Sequence, residues 1–136
     1  MDLEELMHRD GALREATVPV AGLDGWSRAL DVVLRLADRW DAVPESLGSP
    51  FGTRDLGPWF LADGHARLLR WWVGKTEFHT HFNDPEVFEL DFMPTGDPLT
   101  TSEVRTMLQA LADDMASPLR VRHEFDDLPE ISVLPR

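Results

Sequence analysis

The chain contains no cysteine, only one lysine and no long apolar run. Without cysteine there is no disulfide, thiolate metal site, iron–sulfur cluster or cysteine nucleophile. No window approaches the roughly 18 consecutive apolar residues of a membrane span. The acidic first residues also lack the basic and apolar regions of a secretory signal. We therefore expect a cytoplasmic protein that does not enter a membrane.

Basic residues are few, and this sets the overall charge. The 136 residues include 13 lysines and arginines against 25 aspartates and glutamates, for a formal net charge of −12. Because a phosphate backbone is also negative, nucleic-acid binding is not expected. The same field attracts basic proteins and speeds their association. A high net charge also serves solubility alone, and the sequence leaves both interpretations open.

Two common catalytic signatures are missing. The chain has neither a G-x-x-x-x-G-K phosphate-binding loop nor a G-x-S-x-G nucleophile turn. The first motif binds the phosphates of nucleotides, and the second exposes the nucleophilic serine of many hydrolases. Their absence means that neither nucleotide-dependent chemistry nor hydrolysis by such a serine is predicted.

Two stretches have the apolar spacing of three and four residues that is typical of amphipathic helices. The first spans residues 26–40 and is expected to begin at Asp24 or nearby. The second is expected to begin at a capping box, with Thr100 as N-cap and Glu103 three residues later, and to end before Pro118. These patterns predict two surface helices, each with one face in the core.

Six strands are predicted from alternating polarity and β-branched content. They span residues 13–20, 66–73, 76–82, 87–93, 119–125 and 131–133. Residues 1–12 are predicted as a leader that is flexible or helical, and residues 41–58, rich in glycine and proline, as a long loop. The elements follow in the order β-α-β-β-β-α-β-β. They predict a single α+β domain of residues 1–136, a two-layer sandwich with both helices on one face of an antiparallel sheet of about five to six strands.

The register of the middle strands follows from side-chain parity. A two-residue turn at Gly74 and Lys75 places Arg70 opposite His79. The apolar positions of the next strand then place His79 opposite Asp91, and His81 opposite Glu89. One register therefore fits all three strands.

The sheet face away from the helices is predicted to be open to water or to a partner. Because Trp71 and Trp72 are adjacent on a strand, only one can enter the core, and alternation sends Trp72 outward. Tryptophan and arginine are enriched at interface hot spots. The competing interpretation is a Trp72 ring that lies flat or is covered by the 41–58 loop. The predicted binding surface consists of Leu68, Arg70, Trp72, Glu77, His79, His81, Glu89 and Asp91, on a face that also includes Val87, Met93, Arg120, Arg122 and Glu124.

His79 and His81, two residues apart on one strand, could close on a metal with Glu89 or Asp91 as the carboxylate ligand. Such a donor set suits zinc or iron. Arg70 opposes it, since a fixed cation about 5 Å from His79 repels a divalent ion. The alternative is a ladder of outward ion pairs. The two carboxylates also have the spacing of a glycosidase pair, but no cleft is predicted that would raise one pKa.

We favour a non-enzymatic acidic protein that sequesters a basic protein partner through the open face and needs no cofactor. The small, cysteine-free, acidic α+β profile is similar in type to bacterial immunity proteins and antitoxins, which neutralise toxins, although no motif names a relative. The alternative is a metal-dependent enzyme that uses His79, His81 and Glu89 or Asp91 with zinc or iron. A homodimer that buries the open face is compatible with either.

Overall fold

The computed structural model describes residues 2–7, 13–42, 45–46, 49–50, 68–73, 75–81, 84–93, 98–124 and 130–136. The helices in these ranges are α1 (Leu3–Met7), α2 (Gly22–Arg39) and α3 (Pro98–Met115). The strands are β1 (Arg14–Pro19), β2 (Glu45–Ser46), β3 (Ser49–Pro50), β4 (Leu68–Val73), β5 (Thr76–His81), β6 (Val87–Met93), β7 (Leu119–His123) and β8 (Ile131–Val133). Five predicted strand or turn positions lie outside the described residues: 66, 67, 74, 82 and 125.

The described strands form one sheet in the order β3-β2-β4-β5-β6-β1-β7-β8. Every neighbouring pair is antiparallel. The predicted α+β fold and the order of its longer elements are confirmed. β2 and β3 fall in the segment predicted as a long loop and extend one edge of the sheet. β1, the first strand along the chain, lies between β6 and β7 in the middle of the sheet.

α2 and α3 pack against each other and contact the same side of the sheet. The core between the two layers is rich in aromatic side chains. Its fully buried rings belong to Trp26, Trp71, Phe78, Phe88 and Phe92. The Trp26 ring centroid lies 4.7 Å from that of Phe88, and its indole N–H donates to the Asp84 carbonyl at 2.7 Å. None of the described helices combines the length and the apolar character needed to cross a bilayer.

The first long helix begins where its sequence signal predicts, and the second begins earlier. α2 begins at Gly22, close to Asp24 as expected, and Gly22 has φ of +65°, a conformation that glycine adopts without strain. α3 begins at Pro98, which makes the prediction of Thr100 as N-cap wrong. Proline suits a first helical position because its φ is already helical and its missing N–H would have no partner there.

The structure places α1 within the predicted leader and anchors it to the core. The Asp2 carboxylate accepts the Glu5 backbone N–H at 2.9 Å, the arrangement of a helix N-cap. Leu6 is fully buried, and its carbonyl accepts two bonds from the guanidinium of Arg14, at 3.0 and 2.8 Å. A buried arginine therefore joins α1 to the central strand β1.

Candidate functional site

Two adjacent rows of side chains cross the sheet face opposite the helices, here called the outer face. The Trp72 row comprises Trp72, Glu77 and Met93, on β4, β5 and β6. The charged row comprises Arg70, His79, Asp91, Glu15 and Arg122, on β4, β5, β6, β1 and β7. The predicted pairs of Arg70 with His79 and of His79 with Asp91 are confirmed. Both rows follow directly from the antiparallel register.

A third row lies beyond the charged row. Glu89 and Arg120 both lie opposite Thr17 of β1. His81 lies opposite Leu68, whose side chain is outside the described residues. The register of β5 with β6, continued by one residue, sets His81 against Glu89 as predicted. The outer face thus brings together the side chains selected from the sequence, apart from that of Leu68.

The Trp72 row forms the exposed end of the outer face. Trp71 is fully buried whereas Trp72 is 43% exposed, as alternation predicts, and Met93 is 37% exposed. The Arg70 guanidinium lies over the Trp72 ring at 4.9 Å from its centroid. The Arg70 Nε also lies 4.0 Å from a Glu77 carboxylate oxygen. An accessible tryptophan with an arginine over its ring thus lies at this end of the sheet.

The centre of the outer face is shielded from solvent, which makes the prediction of a fully open face wrong there. Asp91 is 5% exposed, and the His79 side chain is 12% exposed. His79 Nε2 lies 3.3 Å from Asp91 Oδ2, and its Nδ1 lies 3.9 Å from Glu77. The His81 ring meets the His79 ring edge-on, with centroids 5.2 Å apart. Neighbouring side chains therefore stand close around His79 and Asp91.

His79, His81 and Asp91 offer ligand atoms that all lie within 4.8 Å of one another. Asp91 Oδ1 is buried and accepts no hydrogen bond in the described part of the chain. The Arg70 guanidinium, expected to oppose a cation from across the hairpin, lies over the Trp72 ring and 4.0 Å from Glu77. This group is therefore the set of donors through which the outer face could hold a metal.

Two groups have shifted pKa values here: Glu89 beside the cluster and His81 within it. Burial, the charge of Asp91, a hydrogen bond to Asp91 and the charge of Glu15 together raise the pKa of Glu89 to about 7, against an opposing effect of Arg122. Burial and the neighbouring His79 lower the pKa of His81, while Asp91 opposes the shift.

Glu89→Gln is expected to stabilise the metal-free protein at pH 8 and to have little effect at pH 4. The folded pKa of about 7 exceeds the reference value of 4.5. Stability is thus lost as the pH rises through this window, where the unfolded chain releases a proton that the folded protein retains. A shift of this size corresponds to about 3 kcal/mol for a buried group. Screening at a half-buried side chain reduces it to about 1 kcal/mol.

Urea denaturation of wild type and Glu89→Gln at both pH values, in buffer with EDTA, measures this difference. Glu130→Gln, at an exposed position, is the control and is expected to show no such pH dependence. Equal stability of Glu89→Gln and wild type at pH 8 would contradict the inferred cost of ionising Glu89.

Two positions on the outer face were not selected from the sequence, and both lie on β1. Glu15 lies opposite Asp91 and accepts bonds from Arg122 Nε and Nη2 at 2.8 and 2.6 Å. These contacts raise the pKa of Arg122. Thr17 lies in the next row. The signal that could have identified them is the alternation of the strand: positions 14, 16 and 18 are buried, so positions 15 and 17 face outward.

The outer face thus has two distinct features. One is the exposed Trp72 row, whose side chains suit contact with another macromolecule. The other is the enclosed donor group of His79, His81 and Asp91, whose chemistry suits a metal. Comparison of the chain with protein-family models, with curated proteins and with solved structures finds no match in any of the three.

Proposed function

We propose that this protein is a non-enzymatic binding protein that sequesters a basic protein partner, in the manner of immunity proteins and antitoxins. The partner docks on the Trp72 row. The observation that carries the proposal is the exposed Trp72 ring with the Arg70 guanidinium stacked on it at 4.9 Å. The alternation of side chains along β4 explains why the Trp72 ring points away from the core. An exposed tryptophan beside an arginine is typical of interface hot spots.

The Trp72 row is organised before any partner arrives. Glu77 lies beside the Arg70 side chain at 4.0 Å, and Arg70 in turn lies over the Trp72 ring. A ring held in this way loses little side-chain freedom on binding, which favours affinity. Met93, at the other end of the row, adds a flexible apolar surface that adapts to a partner.

The charge of the chain selects the class of partner. A net charge of −12 attracts basic proteins over long distances and raises their association rate. Glu77, between the two apolar side chains of the row, is 26% exposed and can accept a hydrogen bond from a partner's lysine or arginine. The same charge opposes self-association, because two copies of the chain repel each other. A basic protein is therefore favoured over a second copy.

The experiment measures binding of purified basic proteins encoded by the genes adjacent to this one, using calorimetry and stopped-flow association. We expect a one-to-one complex with one of them, and an association rate that falls steeply with salt. Trp72→Ala is expected to weaken it by at least about 30-fold, the size of a hot-spot loss. Leu23→Ala is the matched control, because Leu23 is 50% exposed but lies on α2.

Absence of a complex with every basic neighbour would overturn the proposal. So would a complex that Trp72→Ala leaves intact. Sedimentation of the protein alone provides the third outcome. A dimer that Trp72→Ala dissociates would assign the Trp72 row to self-association and would likewise count against a basic partner.

A further inference from the structure

We infer that His79, His81 and Asp91 form a zinc-binding site at the centre of the outer face. This goes beyond the proposed partner binding, which depends on the Trp72 row. A tetrahedral zinc ion with three protein ligands takes a water molecule as its fourth ligand. His79, His81 and Asp91 offer three donor atoms close enough together for such an ion.

The spacing of the donors is close to that of a coordination sphere. Two ligand atoms on a tetrahedral zinc lie about 3.3 Å apart, given metal–ligand distances near 2 Å. His79 Nε2 and Asp91 Oδ2 are already 3.3 Å apart, and all three donors lie within 4.8 Å of one another. β5 and β6, paired at this point of the sheet, supply a rigid base.

Asp91 supplies a separate indication of a missing ligand. The residue is 5% exposed, and its Oδ1 accepts no hydrogen bond in the part of the chain that the structure describes. A buried carboxylate oxygen without a partner is costly, and buried charges are normally paired or coordinate a metal. A cation that Oδ1 binds together with the two histidines removes this cost, whereas in the metal-free protein the neighbouring Glu89 carboxyl group hydrogen-bonds to Asp91.

The charges around the centre also favour a cation. Two further carboxylates lie next to Asp91 and His79, those of Glu15 and Glu77. The nearby guanidinium of Arg122 is paired with Glu15 at 2.6 Å. That of Arg70 lies over the Trp72 ring. Negative charge therefore exceeds positive charge around the three donors.

A carboxylate also lies behind the first histidine. His79 Nδ1 faces Glu77 at 3.9 Å, which leaves Nε2 directed toward Asp91. In many metal sites the second ring nitrogen of a ligating histidine is oriented by such a carboxylate. Two imidazoles with one carboxylate disfavour magnesium and calcium, which prefer oxygen ligands, and zinc exceeds iron(II) in affinity for such a set. The geometry therefore points to zinc.

The experiment titrates untagged, EDTA-stripped protein with Zn²⁺ in a calorimeter. We expect one Zn²⁺ per chain and a rise in melting temperature of at least about 5 °C at a hundredfold excess over Kd. Mg²⁺ is expected to produce no shift, and Fe²⁺ under anaerobic conditions a smaller one. Absence of stoichiometric Zn²⁺ uptake, or an equal shift with Mg²⁺, would overturn the inference. Tighter binding of Fe²⁺ would overturn the assignment to zinc.

Variants then test the ligands. Asp91→Asn and His81→Gln are each expected to lower Zn²⁺ affinity by at least about 100-fold, and Glu77→Gln by about 10-fold. Asp38→Asn is the control, because Asp38 is an exposed carboxylate on α2, and we expect it to bind zinc as wild type does. Circular dichroism in EDTA checks folding. If Asp91→Asn does not fold, the His81→Gln variant serves as the test, because His81 is only half-buried. Unchanged Zn²⁺ affinity in His81→Gln would overturn the site.

Discussion

Trp71→Ala is expected to lower the free energy of unfolding by about 3–5 kcal/mol, the usual cost of removing a large core aromatic. The Trp71 ring is fully buried. It stacks on Phe78, with centroids 5.9 Å apart and planes 11° apart, and Phe78 in turn contacts Phe92 at 6.1 Å. Since the Trp71 indole nitrogen has no hydrogen-bond partner in the described part of the chain, the loss comes from the cavity. Urea denaturation followed by circular dichroism measures it.

Trp72→Ala is the matched control, one residue along the same strand. Its ring is 43% exposed and gives up mainly the contact with the Arg70 guanidinium. We expect a change in stability of no more than about 1 kcal/mol. Comparable losses at the two tryptophans would contradict the assignment of one ring to the core and the other to the outer face. A stable Trp72→Ala protein is also what makes the binding test interpretable.

Arg14→Ala is expected to cost about 3–5 kcal/mol, because it removes a buried, hydrogen-bonded charge. Arg14 is fully buried on the core side of β1, and its guanidinium gives the Leu6 carbonyl two hydrogen bonds. Alanine leaves that carbonyl without these donors and opens a cavity under α1. Denaturation measures the total loss, and hydrogen exchange in residues 3–7 tests the release of α1.

Arg122→Ala is the control for the loss of an arginine. Arg122 also gives two hydrogen bonds, to Glu15 at 2.8 and 2.6 Å, but its side chain is 57% exposed. Solvent replaces such a contact, so a loss of no more than about 1 kcal/mol is expected. Arg14→Met, which preserves much of the buried volume, separates the cavity from the hydrogen bonds. A loss at Arg14 no larger than at Arg122 would contradict the anchoring role.

The middle of the sheet could be predicted because its pairing is local. Trp71 and Phe78 are the same distance from the turn, so parity alone sets them together, and the structure confirms that they are opposite each other. The pairing of His79 with Asp91 follows from apolar alternation in the next strand. The fold class and the outward direction of Trp72 depend on the same short-range rules.

The rest of the site depends on contacts that are distant along the chain. Glu15 reaches Asp91 only because β1 pairs with β6, and nothing local to residues 14–19 specifies that pairing. Arg14 is a charged residue at a buried position, so the alternation of apolar and polar residues in β1 is hard to recognise in the sequence. The neighbours of Asp91 across the sheet, Glu15 and His79, come from β1 and β5, so no single segment of the sequence reveals its environment. At α3 the sequence pattern of a capping box predicted a start at Thr100, but the helix already begins at Pro98.

The central position of β1 has a consequence for the order of folding. Its residue Arg14 pairs with Phe92 on one side and with His123 on the other, so both flanking strands come from much later in the chain. Closing such long loops is entropically costly, which slows folding in topologies of this kind. During synthesis β1 cannot complete its pairing with β6 and β7 until the last third of the described chain has left the ribosome. Until then its unpaired edges are exposed to aggregation.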